Sequence, residues 1–544
     1  MKFCKALCIV LTFAVLLCLA ACGKTGSESG QSGGSSDSGK TYTEICIPCD
    51  SADSFNPYTA KTELNRRISA LIYEPLCVVD QNYKAINILA NSATVNGRVC
   101  TVTLKDAIFS DGAAVTASDV LYSFNSAKQS KRSFAATLKY ITATAVDSKT
   151  VVFTNKKKSD PLIMNLLTFP IIETGSDKFK NGDGVEIPPI GSGRFKFNAD
   201  YTGLEYNAHW KGTPGNVKNI SFVHAPDNEV LAHEIEIDAI DVYFTDLSDC
   251  NILRMGGTRY TVDLNNLVYI GINHKNSDLK KVAVRQAISA AIDRSKIAEE
   301  AYFTNAEPAT GIFNPHAELT KSIQTIPTTA NPQLTIEYLE ELGYNNLDVA
   351  KVADNPVLSF NLLVNTENTF RVAAAEKIAA QLTAAGIKIN LQKVKYSEYK
   401  KRLAAGNFDL YLAEVNVADN LDISEIVLWG GSSAYGIAHS KYNAKVLRGE
   451  KDDYETAAKT KKSTEKSTAA TTNPEDDEQI AVASLGEAIF GYYNGTANIT
   501  DIATMAITEM PVIPVCYRNG IIFATRGHKQ NAVAYSTNIF NIID

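Results

Sequence analysis

Residues 357–415 read VLSFNLLVNTENTFRVAAAEKIAAQLTAAGIKINLQKVKYSEYKKRLAAGNFDLYLAEV. Three short apolar runs, VLSFNLLV (357–364), IKINLQKV (387–394) and FDLYLAEV (408–415), have the length of strands. Between them, TFRVAAAEKIAAQLTAAG (369–386) and YSEYKKRLAAG (396–406) read as helices that stop at Gly386 and Gly406. The order is βαβαβ, which predicts an α/β fold with a parallel sheet and right-handed crossovers. Ligands of such sheets bind in the crevice beyond the carboxyl ends of the strands. The segment leaving the third strand, Glu414-Val415-Asn416-Val417-Ala418-Asp419-Asn420-Leu421-Asp422, is therefore the first place to look for contacts, with a solvated loop as the competing reading.

Outward from this unit, 544 residues with 45% hydrophobic content predict a globular chain of two or three domains. The N-terminus stands apart. Lys2 and Lys5 precede an apolar run from Ala6 to Leu19 that is too short to span a bilayer, and small residues follow, so residues 1–21 read as an export signal. Residues 23–40, GKTGSESGQSGGSSDSGK, have nothing to bury and read as a flexible tether. The formal net charge is −7, and losing residues 1–21 would remove two lysines and no acid. That balance argues against nucleic acid or anionic lipid as the main partner. The one basic run, Lys156-Lys157-Lys158, reads as a solvated turn.

Catalytic and metal chemistry find little support. Of ten cysteines, six lie beyond residue 22: Cys46, Cys49, Cys77, Cys100, Cys250 and Cys516. Cys46-Ile47-Pro48-Cys49 sits in a strand-like run without the helix start that a redox dithiol requires. The seven histidines are dispersed, and HEIEID (233–238) lacks zinc-motif spacing, so no metal site and no cofactor is expected. There is no nucleophile elbow, phosphate loop or dinucleotide fingerprint, and no catalytic residue is assigned. GSG at 191–193 reads as a turn.

IFSDGAAVTASDVLYSF (108–124) gathers two serines and two aspartates and could pass for a catalytic centre. It follows an alternating strand at 99–104. Asp111-Gly112 then supplies a turn, and Thr116-Ala117-Ser118-Asp119 fits a capping box ahead of Val120, Leu121 and Phe124. Both aspartates thus have local structural roles.

The order of these parts carries a resemblance. IYEPL (72–76), Leu89-Ala90, LKDAIFSDG (104–112), TASDVLYSF (116–124), the later VYIGINHKNSDLKKVAVRQAISAAIDRSKI (268–297) and MPVIPVCYR (510–518) together resemble the family 5 extracellular solute-binding proteins, peptide receptors of ABC importers. The resemblance spans about residues 41–544. Leu19-Ala20-Ala21-Cys22 similarly resembles a lipobox, which implies lipid attachment at Cys22 and an extracytoplasmic chain anchored to the bacterial cell membrane.

The resemblance implies a type II periplasmic-binding-protein-like fold: two α/β lobes joined by hinge-crossing strands, with an additional subdomain. Lobe I would use residues 41–76, 186–265 and 509–544, with 77–185 inserted; lobe II would use 266–508. Asp419 best matches the family aspartate that pairs with a peptide's ammonium, with Asp422 close behind. The usual glycine-tryptophan pair is replaced here by Glu414 and Val415 or Asn416. Trp429 and Tyr435 in LWGGSSAYG suit a cleft wall or equally a core, and Phe55, Asn56 and Tyr58 in SADSFNPYTAKTELNRRI (51–68) are contact candidates that also read as a turn. The polar segment 441–479 reads as a surface excursion or irregular helix rather than core. Expected partners are a peptide or small-molecule ligand, the importer's permease subunits, and the membrane through lipid on Cys22, for a monomer that is not an enzyme. A sensor of signal peptides and a receptor for a non-peptide solute such as a nickel chelate are the alternatives.

Overall fold

The computed structural model describes residues 41–544 apart from 251, 324, 346, 350 and 453–483. The export signal 1–21, Cys22, the tether 22–40 and most of the segment 441–479 lie outside the described residues. Within that segment, Ala444–Leu447 form a short helix whose Ala444 and Leu447 are buried in a hydrophobic core, so its first residues are helical but belong to the core.

The chain begins with β1 (Glu44–Cys49), which buries Ile45 and Ile47, and helix α1 (Glu63–Ile72), which is capped by Thr62 and buries Ile68, Leu71 and Ile72. A hairpin of β2 (Cys77–Val79) and β3 (Ala85–Asn87) leads into β4 (Ala90–Asn96), β5 (Val99–Leu104), β6 (Ile141–Ala145) and β7 (Thr150–Asn155). These last four form an antiparallel sheet of order β4-β5-β7-β6. The alternation read at 99–104 holds: Cys100, Val102 and Leu104 point into the core.

Helix α2 (Ala117–Gln129) starts at the expected capping box. One oxygen of Asp119 accepts from Thr116 N (2.9 Å) and Oγ1 (2.7 Å), and the other accepts from Thr174 N (3.0 Å) and Oγ1 (2.7 Å). Asp111 accepts from Ala113 N at 3.0 Å, which closes the turn. Every oxygen of the buried Asp119 is committed to scaffold, so nothing is left for catalysis.

Next come β8 (Phe195–Phe197), β9 (Gly203–Tyr206) and β10 (Asn219–His224), which join β1 in a second four-stranded sheet of order β1-β10-β9-β8. The GSG ahead of β8 does more than turn the chain. A Cβ at Gly191 would lie 2.1 Å from the Ile72 carbonyl oxygen, so the loop passes flush against the end of α1. Cys46 and Cys49 stand three apart on β1 and thus on opposite faces, and all six cysteines among the described residues are free thiols.

A seven-stranded sheet takes the rest: β11 (Val242–Thr245), β12 (Thr258–Ile272), β13 (Ala306–Pro308), β14 (Leu358–Asn365), β15 (Ile387–Val394), β16 (Leu410–Asn416) and β17 (Val512–Ala524). Its βαβαβ unit is β14, α3 (Thr369–Ala384), β15, α4 (Tyr396–Ala405) and β16, with β14 parallel to both β15 and β16. Asn368 caps α3, and Gly406 ends α4 in the left-handed region at φ 69°.

The two long strands make the molecule two-lobed. At one end, Val262 and Leu264 of β12 and Ile522 and Ala524 of β17 enter the core shared with β1, α1 and the β4–β7 sheet. At the other, Val268, Ile270 and Ile272 with Ile513 and Val515 enter the core around β14 and α3, while Leu267, Tyr269, Val512 and Tyr517 enter a third core. Their pairing is irregular between Asp263 and Asn266, where the strands pass from one core to the others and Asn265 takes φ 53°. All thirteen residues of β17 are buried. Each large apolar side chain there contributes about 1.5–3 kcal/mol over exposure, which fixes the strands as the frame on which the lobes are built.

Candidate functional site

Antiparallel pairing of β16 with β12 brings Asn416 opposite Asn266, at the irregular point of the crossing strands. The exit of β16 there opens on a cavity of about 510 Å³. Leu264, Asn266, Asn416 and Asp419 line it together with residues of α1, residues 131–134 and residues 536–539. The cavity lies between elements of different cores, in the crevice that parallel-sheet geometry predicts. It continues past Glu63, Arg67 and Asp246 into a second cavity of about 330 Å³ beside Tyr243 and Phe244.

Three carboxylates were candidates, and their surroundings separate them. Glu414 accepts from Arg518 Nε at 2.7 Å and lies 3.5 Å from an Arg371 nitrogen, so it is spent on a buried ion-pair cluster joining β16, β17 and α3. Asp422 is paired with Lys158 and accepts from Ser424 N at 3.0 Å. Its burial is opposed by the Lys158 charge, and the carboxyl stays below its usual range. Asp419 is different. It is half-buried, lines the cavity, and no donor or cation among the described residues meets its side chain; burial alone pushes its pKa up to about 7.

The backbone around Asp419 is pinned. Asn165 Nδ2 donates to the carbonyls of Tyr83 and Asp419, both at 2.8 Å, and Asn420 Nδ2 donates to the buried Asp160 at 2.8 Å. Lys158, read as part of a solvated turn, instead pairs with Asp422 and sits 3.6 Å from the Tyr493 ring centroid. The Asp419 carboxylate is thus held on a fixed backbone with its charge unspent.

The remaining candidates lie elsewhere. Asn416 lines the cavity and donates to the Leu264 carbonyl (2.7 Å) and Asn266 Oδ1 (2.8 Å). Trp429 stacks on His439 with centroids 3.8 Å apart, and Tyr435 packs edge-on to Tyr411; neither lines this cavity. Phe55 stacks on Phe222 and, with Asn56, lines a separate cavity of about 610 Å³. Asn56 accepts from Tyr58 N at 2.9 Å, the turn reading of N-P-Y, and Tyr58 is buried with its hydroxyl donating to the Pro170 carbonyl.

The cavity lining also contains residues the sequence did not single out: Arg66 and Arg67 on α1, and Lys131 and Arg132 just past α2. The signal was present as NRRI (65–68) at the end of SADSFNPYTAKTELNRRI, where the aromatic residues drew the reading instead.

One of the dispersed histidines meets two carboxylates. His316 donates toward Asp263 through Nδ1 and stands 3.0 Å from Glu307 through Nε2, and one ligand atom from each of the three lies within 4.8 Å of the others. These are the described side chains best arranged to meet a metal ion. Hydrogen bonds to Asp263 first, and then to Glu307, push the imidazole pKa up to about 10, so at neutral pH an imidazolium bridges the two carboxylates.

Comparison with known proteins agrees with this architecture. The profile of the bacterial extracellular solute-binding proteins, family 5 (middle region), matches residues 84–436. The oligopeptide-binding protein AppA of Bacillus subtilis is 25% identical over 445 residues, 75% of this chain and 80% of that protein. The glutathione-binding protein GsiB of Pectobacterium atrosepticum is 25% identical over 308 residues, 54% of this chain and 60% of its own length. Among solved structures, the unliganded open form of the periplasmic murein tripeptide-binding protein MppA superposes with a TM-score of 0.66 at 18% identity, covering 92% of this chain and 96% of that one. NikA from Brucella suis, in complex with Fe(III)-EDTA, gives a TM-score of 0.59 at 18% identity over 91% and 98%. The chain belongs to the bacterial extracellular solute-binding proteins, family 5, the substrate-binding components of ABC importers.

Proposed function

We propose that this protein captures peptides in the cleft between its lobes by their free α-amine, and hands them to the permease of an ABC importer. One observation carries the reading: the half-buried Asp419 carboxylate lines the interlobe cavity without a partner among the described residues, while Glu414 and Asp422 beside it are both paired. A peptide ammonium would supply the missing counter-charge through charge-assisted hydrogen bonds. The similarity to oligopeptide-binding AppA supports the same ligand class.

In this reading lobe I is built from 41–76, 186–265 and 509–544 with 77–185 inserted, and lobe II from 266–508. Residues 1–21 direct export, lipid on Cys22 tethers the chain to the outer face of the cell membrane, and 23–40 hold the body clear of it. Ligand touching both lobes favours the closed form, which then docks on the permease.

The test is direct. Asp419→Ala and Asp419→Asn should each weaken binding of free-amine peptides by about ten- to a hundredfold in calorimetric titrations and leave N-acetylated peptides nearly unchanged. Equal loss for both peptide classes would remove the amine clamp. Native mass spectrometry of the protein as purified would report the ligand carried from the cell, a nickel chelate included.

A further inference from the structure

Asp263 and Glu307 flank β17 from its two sides. Asp263 of β12 pairs with Asn519, and Glu307 of β13 pairs with Tyr517, so the acids stand two residues apart along one strand. Paired residues share a face and the side-chain period of a strand is two, which sends both carboxylates to the same face of the sheet. His316 is brought over that face by a loop whose start is fixed. Asn314, buried, accepts from His316 N through its side chain and from Ala317 N through its carbonyl, both at 3.0 Å. One ligand atom from each of Asp263, Glu307 and His316 lies within 4.8 Å of the others, close enough for a single ion to touch all three. None of the three lines the cavity beside Asp419 or the one it continues into.

A fourth group points the same way. Tyr83, in the turn of the β2–β3 hairpin, is 5% exposed, and its hydroxyl has no hydrogen-bond partner among the described residues. Asp263 is the charge that acts on it most, ahead of Asp419 and Glu307. The loop that carries His316 reaches the same turn, where Glu318 N donates to the Asn82 carbonyl at 3.2 Å. A buried hydroxyl without a partner is costly, and water held on an ion among these acids would supply one.

One imidazole and two carboxylates are a nitrogen-and-oxygen donor set that suits a divalent first-row transition ion, with water in the remaining position. The side chains of His316 and Glu307 are 38% and 36% exposed, which leaves the ion a way in from solvent. On entry the ion takes the place of one imidazole N–H proton, which passes to the buffer.

We propose that Asp263, Glu307 and His316 form a site for a zinc-class divalent ion, bound directly by the protein at the crossing of the strands and outside the ligand cavity. Asp263 stands where the pairing of β12 with β17 becomes irregular, so the ion ties that point to β13 and to the loop of His316. It braces the crossing rather than serving as cargo, and it does not depend on the amine clamp.

The experiment uses the purified full-length protein without a histidine tag, stripped by a chelator, with zinc(II) alone as the probe. Calorimetry should find one ion per chain, and saturating zinc should raise the melting temperature. His316→Gln and Glu307→Gln should each weaken zinc by more than about tenfold and abolish that rise, while circular dichroism confirms folding. Cobalt(II) in place of zinc should give visible absorption that the His316→Gln variant lacks. Weak binding of several ions, unaltered by either variant, would overturn the site. Zinc binding that survives His316→Gln and is lost with Asp419→Asn would place the ion in the ligand cavity and overturn it as well. Neither result bears on the amine clamp, which stands or falls on free against N-acetylated peptides.

Discussion

Asp419 shows how the surroundings of one side chain set its chemistry. Its folded pKa of about 7 lies above the ordinary carboxylate value of 3.8, so the folded protein holds this proton where the unfolded chain has released it. The resulting cost to stability is therefore absent below about pH 4, builds up between about pH 4 and 7, and is constant above that. Asp419→Asn should leave the melting temperature unchanged at pH 4 and raise it at pH 8. Under the proposed amine clamp, ligand capture has the opposite dependence, because the amine needs the carboxylate ionised. Affinity for a free-amine peptide should fall as pH drops below about 7 and, as the α-amine loses its proton, fall again above about 8. At pH 6 binding should release a proton, which calorimetry in buffers of different ionisation enthalpy measures. A flat affinity from pH 5 to 8 would show that the carboxylate does not face the amine.

The secondary-structure elements were largely legible because their signals are local. The βαβαβ unit is written in its period and in its two glycine stops, and the capping box at 116–119 in four consecutive residues. Pairing of charges was not legible. Nothing near Asp422 in sequence announces Lys158, 264 residues away, and nothing near Glu414 announces Arg518 on the return strand. Choosing among three acids in one segment requires those long-range partners, and for Asp419 no donor or cation among the described residues takes that part. Trp429 illustrates the same limit: an indole near glycines suits a cleft, but His439 ten residues on claims its face.

The Glu414 cluster is an element-scale prediction. Its side chain and that of Arg518 are 10% and 6% exposed, so removing one charge strands the other. Glu414→Gln should destabilise the fold by about 3 kcal/mol in chemical unfolding, the cost of an uncompensated buried charge. It should not change the affinity ratio between free and N-acetylated peptides. A change in that ratio with stability intact would instead place Glu414 at the ligand.

At the scale of the whole molecule, the crossing strands β12 and β17 let two bodies share one frame, and the contacts across the crevice set how far they stand apart. Lys158 follows β7 of the antiparallel sheet that packs in the first core, and Asp422 follows β16 beside residues of the third. With Asn165 holding the Asp419 carbonyl and Asn420 holding Asp160, this is a polar seam between the two bodies next to the cavity that Asp419 lines. A seam that favours the closed arrangement contributes to affinity without touching ligand, since apparent affinity scales with the fraction of binding-competent molecules. Lys158→Ala should then weaken free-amine and N-acetylated peptides by the same factor, about three- to tenfold, unlike the selective loss at Asp419. Small-angle scattering should show a larger radius of gyration for the unliganded variant than for the parent protein, with the difference vanishing at saturating peptide. If affinity falls while the unliganded radius is unchanged, the seam serves only to position the Asp419 backbone, and closure is governed by the crossing strands alone.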